Sequence, residues 1–225
     1  MTAASSGVCE LFFYEAFAEE AERLRHYAAA ASVRVGHTPL TIQEAGHTAP
    51  PAPVISVRTQ SVLPLDWAAQ LRGILSRSTG YDHLTVYRAA AGESCPQLGY
   101  LPLYCARAVA EQAMLLWTAL LRHLPRQVAQ FATFHRDSLT GWESQGKTIA
   151  LFGVGNIGYE IWRIATALGM TVRGVDPVQR HADVTYYSPA DALAAADIIV
   201  CAMNLTPANH RYFTRVVLAQ APRRP

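Results

Sequence analysis

Short apolar runs alternate with amphipathic stretches along the chain, and the alternation comes in two series. In the first, Leu11 to Tyr14 reads as a strand, Glu19 to Tyr27 as a helix, Val33 to Val35 and Val54 to Val57 as strands, Leu65 to Leu71 as a helix and Ile74 to Ser76 as a strand. The run from Thr48 to Pro53 is rich in proline, which removes backbone donors and fixes φ, so it is a loop. This series ends near Gly99 to Pro102. A long amphipathic helix from Ala106 to Leu124 follows, then a polar stretch from His135 to Gly146. The second series gives a strand at Thr148 to Phe152, a helix at Ile157 to Leu168, a strand at Thr171 to Val175, a helix at Pro189 to Ala196, a strand at Ile198 to Ala202 and a last helix from Asn209 to Ala219. Strands separated by helices imply parallel sheets with crossovers. The expectation is two α/β lobes, residues 8–102 and 103–225.

Composition narrows the class of partner. Of 225 residues, 51% are apolar and the formal net charge is +2, which excludes a disordered chain. Lys147 is the only lysine, and the arginines are scattered among Asp and Glu, so nucleic acid is not expected as a partner. Cys9, Cys95, Cys105 and Cys201 form no C-x-x-C pair and suit free thiols in a reducing, cytoplasmic setting. The amino terminus carries no basic n-region, and the apolar helix near Met114 to Leu121 is too short for a membrane span.

Chemistry concentrates at Gly153-Val154-Gly155-Asn156-Ile157-Gly158, a G-x-G-x-x-G string directly after an apolar run and before a helix. The first glycine permits the tight turn, the second lets a pyrophosphate approach the backbone, and the third lets helix pack on strand. Phosphates then sit at a helix N-terminus, where amide groups and the dipole favour an anion. Asp176 closes the next strand roughly 20 residues on, where a carboxylate accepts from ribose hydroxyls and repels an extra phosphate, so the expected dinucleotide is NAD.

Four stretches extend this reading: Arg77-Ser-Thr-Gly-Tyr-Asp-His-Leu84, Tyr104 to Glu111, Leu139 through Gly146-Lys147-Thr148 to Gly158, and Leu205 to Asn209. In order and spacing they resemble the D-isomer-specific 2-hydroxyacid dehydrogenases, from about residue 8 onward. The resemblance implies a flavodoxin-like substrate lobe and a Rossmann NAD-binding lobe, both with parallel sheets, and hydride transfer between NADH and a small 2-keto or 2-hydroxy acid. It puts Thr79 and Gly80 at the turn whose amides hold the substrate carboxylate, and Tyr104 near nicotinamide and substrate. Asn156, Ile157 and Asp176 would bind the dinucleotide, with Met203, Asn204 and Asn209 lining its adenine and nicotinamide-ribose side. Asn204 stands where family members often have proline. Without the resemblance, Thr79-Gly80 reads as a strand-end turn and Tyr104 as a packing aromatic.

The family's catalytic arginine, glutamate and histidine would fall beyond residue 225, so no catalytic residue is assigned. The expectation is a fragment of a longer dehydrogenase, inactive alone, with an incomplete Rossmann sheet, an unprotected apolar edge at Ile198 to Met203 and a solvated basic tail at Arg223 and Arg224. The resemblance implies a homodimer built on the helix beginning near Ala106. A non-catalytic NAD-sensing protein and a gene remnant are the alternatives. His135-Arg136-Asp137 copies a kinase triplet but precedes the glycine turn, the wrong order for a kinase. His37 and His47 have no third ligand at metal spacing, and His83 and His210 read as local polar residues.

Overall fold

The computed structural model describes residues 9–222, so Arg223 and Arg224 lie outside the described residues. The chain divides into two compact units, one ending at Pro102 and the other starting at Leu103.

In the first unit β1 (Leu11–Phe13), α1 (Ala18–Ala30), β2 (Val35–His37), α2 (Ile42–Ala45), β3 (Val54–Val57), β4 (Gly73–Ser76), α3 (Asp82–Ala91) and β5 (Gln97–Gly99) follow one another. The strands form one parallel sheet in the order β2-β1-β3-β4-β5, the flavodoxin-like doubly wound order. Its core holds Tyr14, Ile55, Val57, Trp67, Ile74, Leu84 and Tyr87.

Several elements differ from the sequence expectation. Val33 does not open β2: its N–H bonds to the Ala28 carbonyl, after a left-handed Ser32, so it closes α1. Only Leu65–Trp67 of the helix expected from Leu65 to Leu71 is helical, as a single 3₁₀ turn. The pattern predicts no helix between Ser76 and Gly99, yet the chain runs from the Thr79–Gly80 turn into α3, whose Leu84 and Tyr87 fall on one buried face.

The second unit contains α4 (Ala106–Leu121), α5 (Leu124–Phe131), β6 (Thr148–Phe152), α6 (Asn156–Ala167), β7 (Thr171–Val175), α7 (Pro189–Ala194), β8 (Ile198–Cys201) and α8 (Arg215–Leu218). Its strands are parallel in the order β7-β6-β8, and Tyr186 adds an isolated parallel bridge to Gly174 beyond β7. β6 is buried on both faces, as a central parallel strand must be. Ile149 and Leu151 pack with Ala110 and Trp117 of α4 and Ile161 and Ile164 of α6. Ala150 and Phe152 pack oppositely, with Ala192 and Leu193 of α7 and with Tyr212 and Phe213. The long helix expected to Leu124 stops at Leu121, where a left-handed His123 turns the chain into α5 with Pro125 in its first turn.

The expected last helix is largely absent. Residues 207–211 form turns, Arg211 has positive φ, and Thr214 caps a single helical turn, α8. The burial of Tyr212 and Phe213 against Phe152, at 5.7 and 5.0 Å between ring centroids, accounts for this, because both rings leave the phase a continuous helix would impose.

A buried polar knot joins the carboxyl ends of β1, β3 and β4. Arg77 donates to the Glu20 carboxylate at 2.7 Å, to Ser56 Oγ at 2.9 Å and to the carbonyls of Tyr14 and Glu15. The buried Glu15 carboxylate accepts from the amides of Arg58 and Gln60 and from the Ser61 hydroxyl. Burial pushes the Glu20 carboxyl up, but hydrogen bonding and charge from Arg77, with Arg58 behind, outweigh it and hold Glu20 below its ordinary range. A buried ion satisfied on so many sides is a fixed point, and the Thr79–Gly80 turn begins two residues beyond it.

Candidate dinucleotide and substrate sites

The glycine turn lies between the carboxyl ends of β6 and β8, at the reversal of strand order where open α/β sheets bind ligands. Its three glycines are required for different reasons. Gly153 has φ +88°, and a Cβ there would stand 2.7 Å from the backbone of Ala202 and Met203. A Cβ on Gly158 would collide with the Gly153 carbonyl oxygen. A Cβ on Gly155 would meet nothing of the chain within 4 Å, and its φ of −81° suits any residue. Fold therefore demands the first and third glycines. Open space at the second, at the N-terminus of the twelve-residue α6, is what a pyrophosphate needs.

Asp176 follows β7 and turns back over this loop. One carboxylate oxygen accepts from the Val154 amide at 2.8 Å, the other from the Val178 amide at 2.8 Å. A carboxylate offers about four acceptor positions, so each oxygen retains room for a ribose hydroxyl. The residues fit a dinucleotide, on the open face at Gly155 and on this fixed carboxylate. Neither Val154 nor Val178 is marked by its residue type, because each contributes only a backbone amide.

On the β8 side, Met203 is half-buried against the core containing Phe152. Asn209 organises the loop ahead of α8: its amide group donates to the Asn204 carbonyl at 2.7 Å and its carbonyl oxygen accepts from the Thr206 amide at 2.7 Å. Gly153, Gly155, Asn156, Ile157, Gly158, Asp176, Met203, Asn204 and Asn209 thus all belong to the carboxyl-end loops of β6, β7 and β8 or to the first turn of α6.

Thr79 and Gly80 belong to the first unit, between β4 and α3. The Thr79 hydroxyl donates to the Leu101 carbonyl at 3.2 Å, and a Cβ on Gly80 would make only an ordinary contact with Asp82. Tyr104 is exposed, just ahead of α4 in the second unit. His83, expected to have only a local role, is bonded to Ser76 Oγ at 2.9 Å. His47 meets the Tyr14 hydroxyl at 2.6 Å, while His210 and the His135–Asp137 pair are exposed. Among the described residues no cluster of His, Cys, Asp or Glu could hold a metal, and no helix is long and apolar enough to cross a membrane.

A parallel sheet crossed at its switch point by a glycine turn, with a carboxylate closing the neighbouring strand, defines the second unit as a Rossmann dinucleotide-binding domain. Residues 113–224 match the family described as D-isomer specific 2-hydroxyacid dehydrogenase, NAD binding domain. The second unit belongs to that family as its NAD-binding domain, and its cofactor is NAD. It is 29% identical over 178 residues to hydroxypyruvate reductase of Thermotoga maritima, covering 76% of this chain and 58% of that protein. It is also 29% identical over 153 residues to D-lactate dehydrogenase of Escherichia coli, covering 65% of this chain and 46% of that protein. The chain thus spans about half the length of these curated relatives. Among solved structures, D-lactate dehydrogenase of Aquifex aeolicus, complexed with NAD and lactic acid, superimposes with a TM-score of 0.78 at 21% identity, covering 94% of this chain and 66% of that one. That likeness shows the fold.

Two predictions follow from these geometries. Gly155→Ala should leave the unfolding midpoint nearly unchanged yet weaken NADH binding by about tenfold, whereas Gly158→Ala should destabilise the second unit by about 2 kcal/mol or more. Calorimetry and NADH titration separate them, and equal loss of stability in both variants would remove the distinction. The second concerns pH. Burial pulls the His83 imidazole below its ordinary 6.5, against the opposing pull of the Asp82 and Glu15 carboxylates. The unfolded chain then binds the proton more readily than the folded one. The His83 contribution is complete above about pH 6.5 and is lost as pH falls through the lowered folded value. Amide exchange at Ile55 and Ile74 should show protection declining as pH falls below about 6.5, with a shallower decline in His83→Gln. Identical slopes would assign the decline to other groups.

Proposed function

We propose that this chain is the NAD-binding and substrate-carboxylate-binding portion of an oxidoreductase that transfers hydride between NADH and a 2-keto acid, or the reverse from a D-2-hydroxy acid. The observation that carries the proposal is the pairing of open space at Gly155 with an Asp176 carboxylate already fixed by two amides. Asn156 and Ile157 would present the first turn of α6 to the pyrophosphate, and Asp176 would accept from the adenine-ribose hydroxyls. Met203, Asn204 and Asn209 would border the rest of the dinucleotide. Thr79 and Gly80 would hold the substrate carboxylate through backbone amides, with Tyr104 beside the reacting carbon. When bound, NADH supplies the hydride. Residues 8–102 would then act as the substrate lobe and 103–225 as the dinucleotide lobe.

We infer that the arginine, glutamate and histidine that polarise and protonate a 2-keto acid in the family are not among residues 1–225. The 225-residue polypeptide assayed alone is therefore expected to bind dinucleotide without turning over substrate. Isothermal titration should show NADH bound at least about tenfold more tightly than NADPH, with Asp176→Ala narrowing the difference. Equal affinities in the unsubstituted chain would overturn the role given to Asp176. Steady oxidation of NADH with glyoxylate or pyruvate would overturn the expectation of inactivity.

Assembly and location belong to the same reading. Leu116 and Leu120 of α4 and Val128 and Phe131 of α5 are more than half exposed, which supports a homodimer seated on these helices. Sedimentation should give twice the 24.6 kDa chain mass, and Leu120→Glu should return it to the monomer. A monomer in the unsubstituted protein would end that part of the proposal. Free cysteines at 9, 95, 105 and 201 support a reducing compartment, and we place the protein in the cytoplasm.

A further inference from the structure

Three side chains behind the Thr79–Gly80 turn form a directed line of hydrogen bonds. The Ser78 hydroxyl donates to the Gly80 carbonyl at 2.7 Å. Ser78 Oγ is 2.6 Å from Ser76 Oγ, and Ser76 Oγ is 2.9 Å from His83 Nε2. Ser76 is buried, and His83 Nδ1 is buried with no hydrogen-bond partner.

Counting protons fixes the direction of the line. A carbonyl only accepts, so the single Ser78 proton points at Gly80. Ser78 Oγ must then accept from the Ser76 hydroxyl, whose single proton is thereby used. Ser76 Oγ in turn must accept from His83 Nε2–H. The other neutral tautomer would draw the Ser76 proton toward histidine and leave two serine oxygens 2.6 Å apart with no proton between them. The line therefore runs His83 Nε2–H to Ser76 to Ser78 to the Gly80 carbonyl. Nδ1 is left as a bare lone pair. Protonating His83 adds a buried Nδ1–H but does not reverse the line, because Nε2–H donates in both forms.

The consequence falls on the turn. Its two flanking peptide planes are set by separate bonds. The Gly80 carbonyl is held by Ser78, and the Ser78 carbonyl accepts from the Leu101 amide at 3.2 Å. A peptide plane whose carbonyl is pinned has its N–H pointed the opposite way, so these bonds fix the Thr79 N–H and the Tyr81 N–H, and the middle plane that carries the Gly80 N–H is held from both sides. Gly80 has no side chain to hold the turn by packing, so its orientation depends on this bond.

We propose that Ser76, Ser78 and His83 are positioning residues that pre-set the Thr79–Gly80 turn for a substrate carboxylate. This rests on the reading of that turn as the carboxylate site, and the test keeps the two apart.

The full chain, labelled with ¹⁵N and saturated with NADH, is titrated with oxamate as a 2-keto acid mimic while the Thr79 and Gly80 amides and the His83 ring nitrogens are followed. Oxamate should shift both amides, and the ring spectrum should report a protonated Nε2 and a bare Nδ1. Ser78→Ala should weaken oxamate binding by about tenfold while leaving NADH affinity unchanged. Ser78→Thr, which keeps the hydroxyl, should stay within about twofold of the unsubstituted protein. If the unsubstituted chain binds oxamate at these amides and Ser78→Ala binds it equally well, the positioning role alone is overturned. If oxamate moves neither amide in the unsubstituted chain, the carboxylate reading falls and the positioning role with it. The opposite His83 tautomer overturns the line itself.

Discussion

The second unit depends on one close approach of backbone to backbone at Gly153. There the end of β6, the first turn of α6 and the chain leaving β8 come together so tightly that neither Gly153 nor Gly158 can carry a methyl group. With that contact in place, the neighbouring pieces have little freedom. The amide of Gly153 reaches the Val175 carbonyl at 2.9 Å and that of Ala202 reaches Phe152 at 2.7 Å, so the carboxyl ends of all three strands are tied to one turn. The Val154 amide then meets Asp176, and the carboxylate is placed by the same contact that sets the turn.

The first unit reaches a comparable end by polar means. Its five parallel strands bring Glu15, Arg58 and Arg77 to one edge, where a buried guanidinium and a buried carboxylate satisfy one another's surroundings. Such a knot adds little net stability over an apolar core of the same shape, but it has one geometry that satisfies every group. The Thr79–Gly80 turn inherits that geometry through Arg77, and the Ser76 and Ser78 hydroxyls extend it to the Gly80 carbonyl.

Legibility in the sequence tracked burial. Thr148–Phe152 and Thr171–Val175 were readable to the residue, because apolar parallel strands bounded by Gly146 and Gly169 leave no competing period. The glycine turn and Asp176 were readable because two of the glycines are forced by sterics. By contrast α3 was hidden: its buried pair, Leu84 and Tyr87, is followed by Arg-Ala-Ala-Ala, which carries no apolar phase. At α8 the sequence has helical propensity, but Tyr212 and Phe213 both find partners on Phe152, and tertiary contact decides. The line from His83 to Gly80 could not be read at all. Ser76 and Ser78 precede the turn and His83 follows it, and only the bend from β4 into α3 brings them together.

The two amides on Asp176 have one more consequence. A free carboxylate at a loop end would sample many rotamers and lose that freedom on meeting a ligand, an entropic cost subtracted from affinity. Here both oxygens are immobilised by the protein's own backbone, and the side chain is ordered before any sugar arrives. Recognition at this corner is a docking event onto a rigid receptor, with association set by encounter and residence set by how well the ribose matches a fixed template.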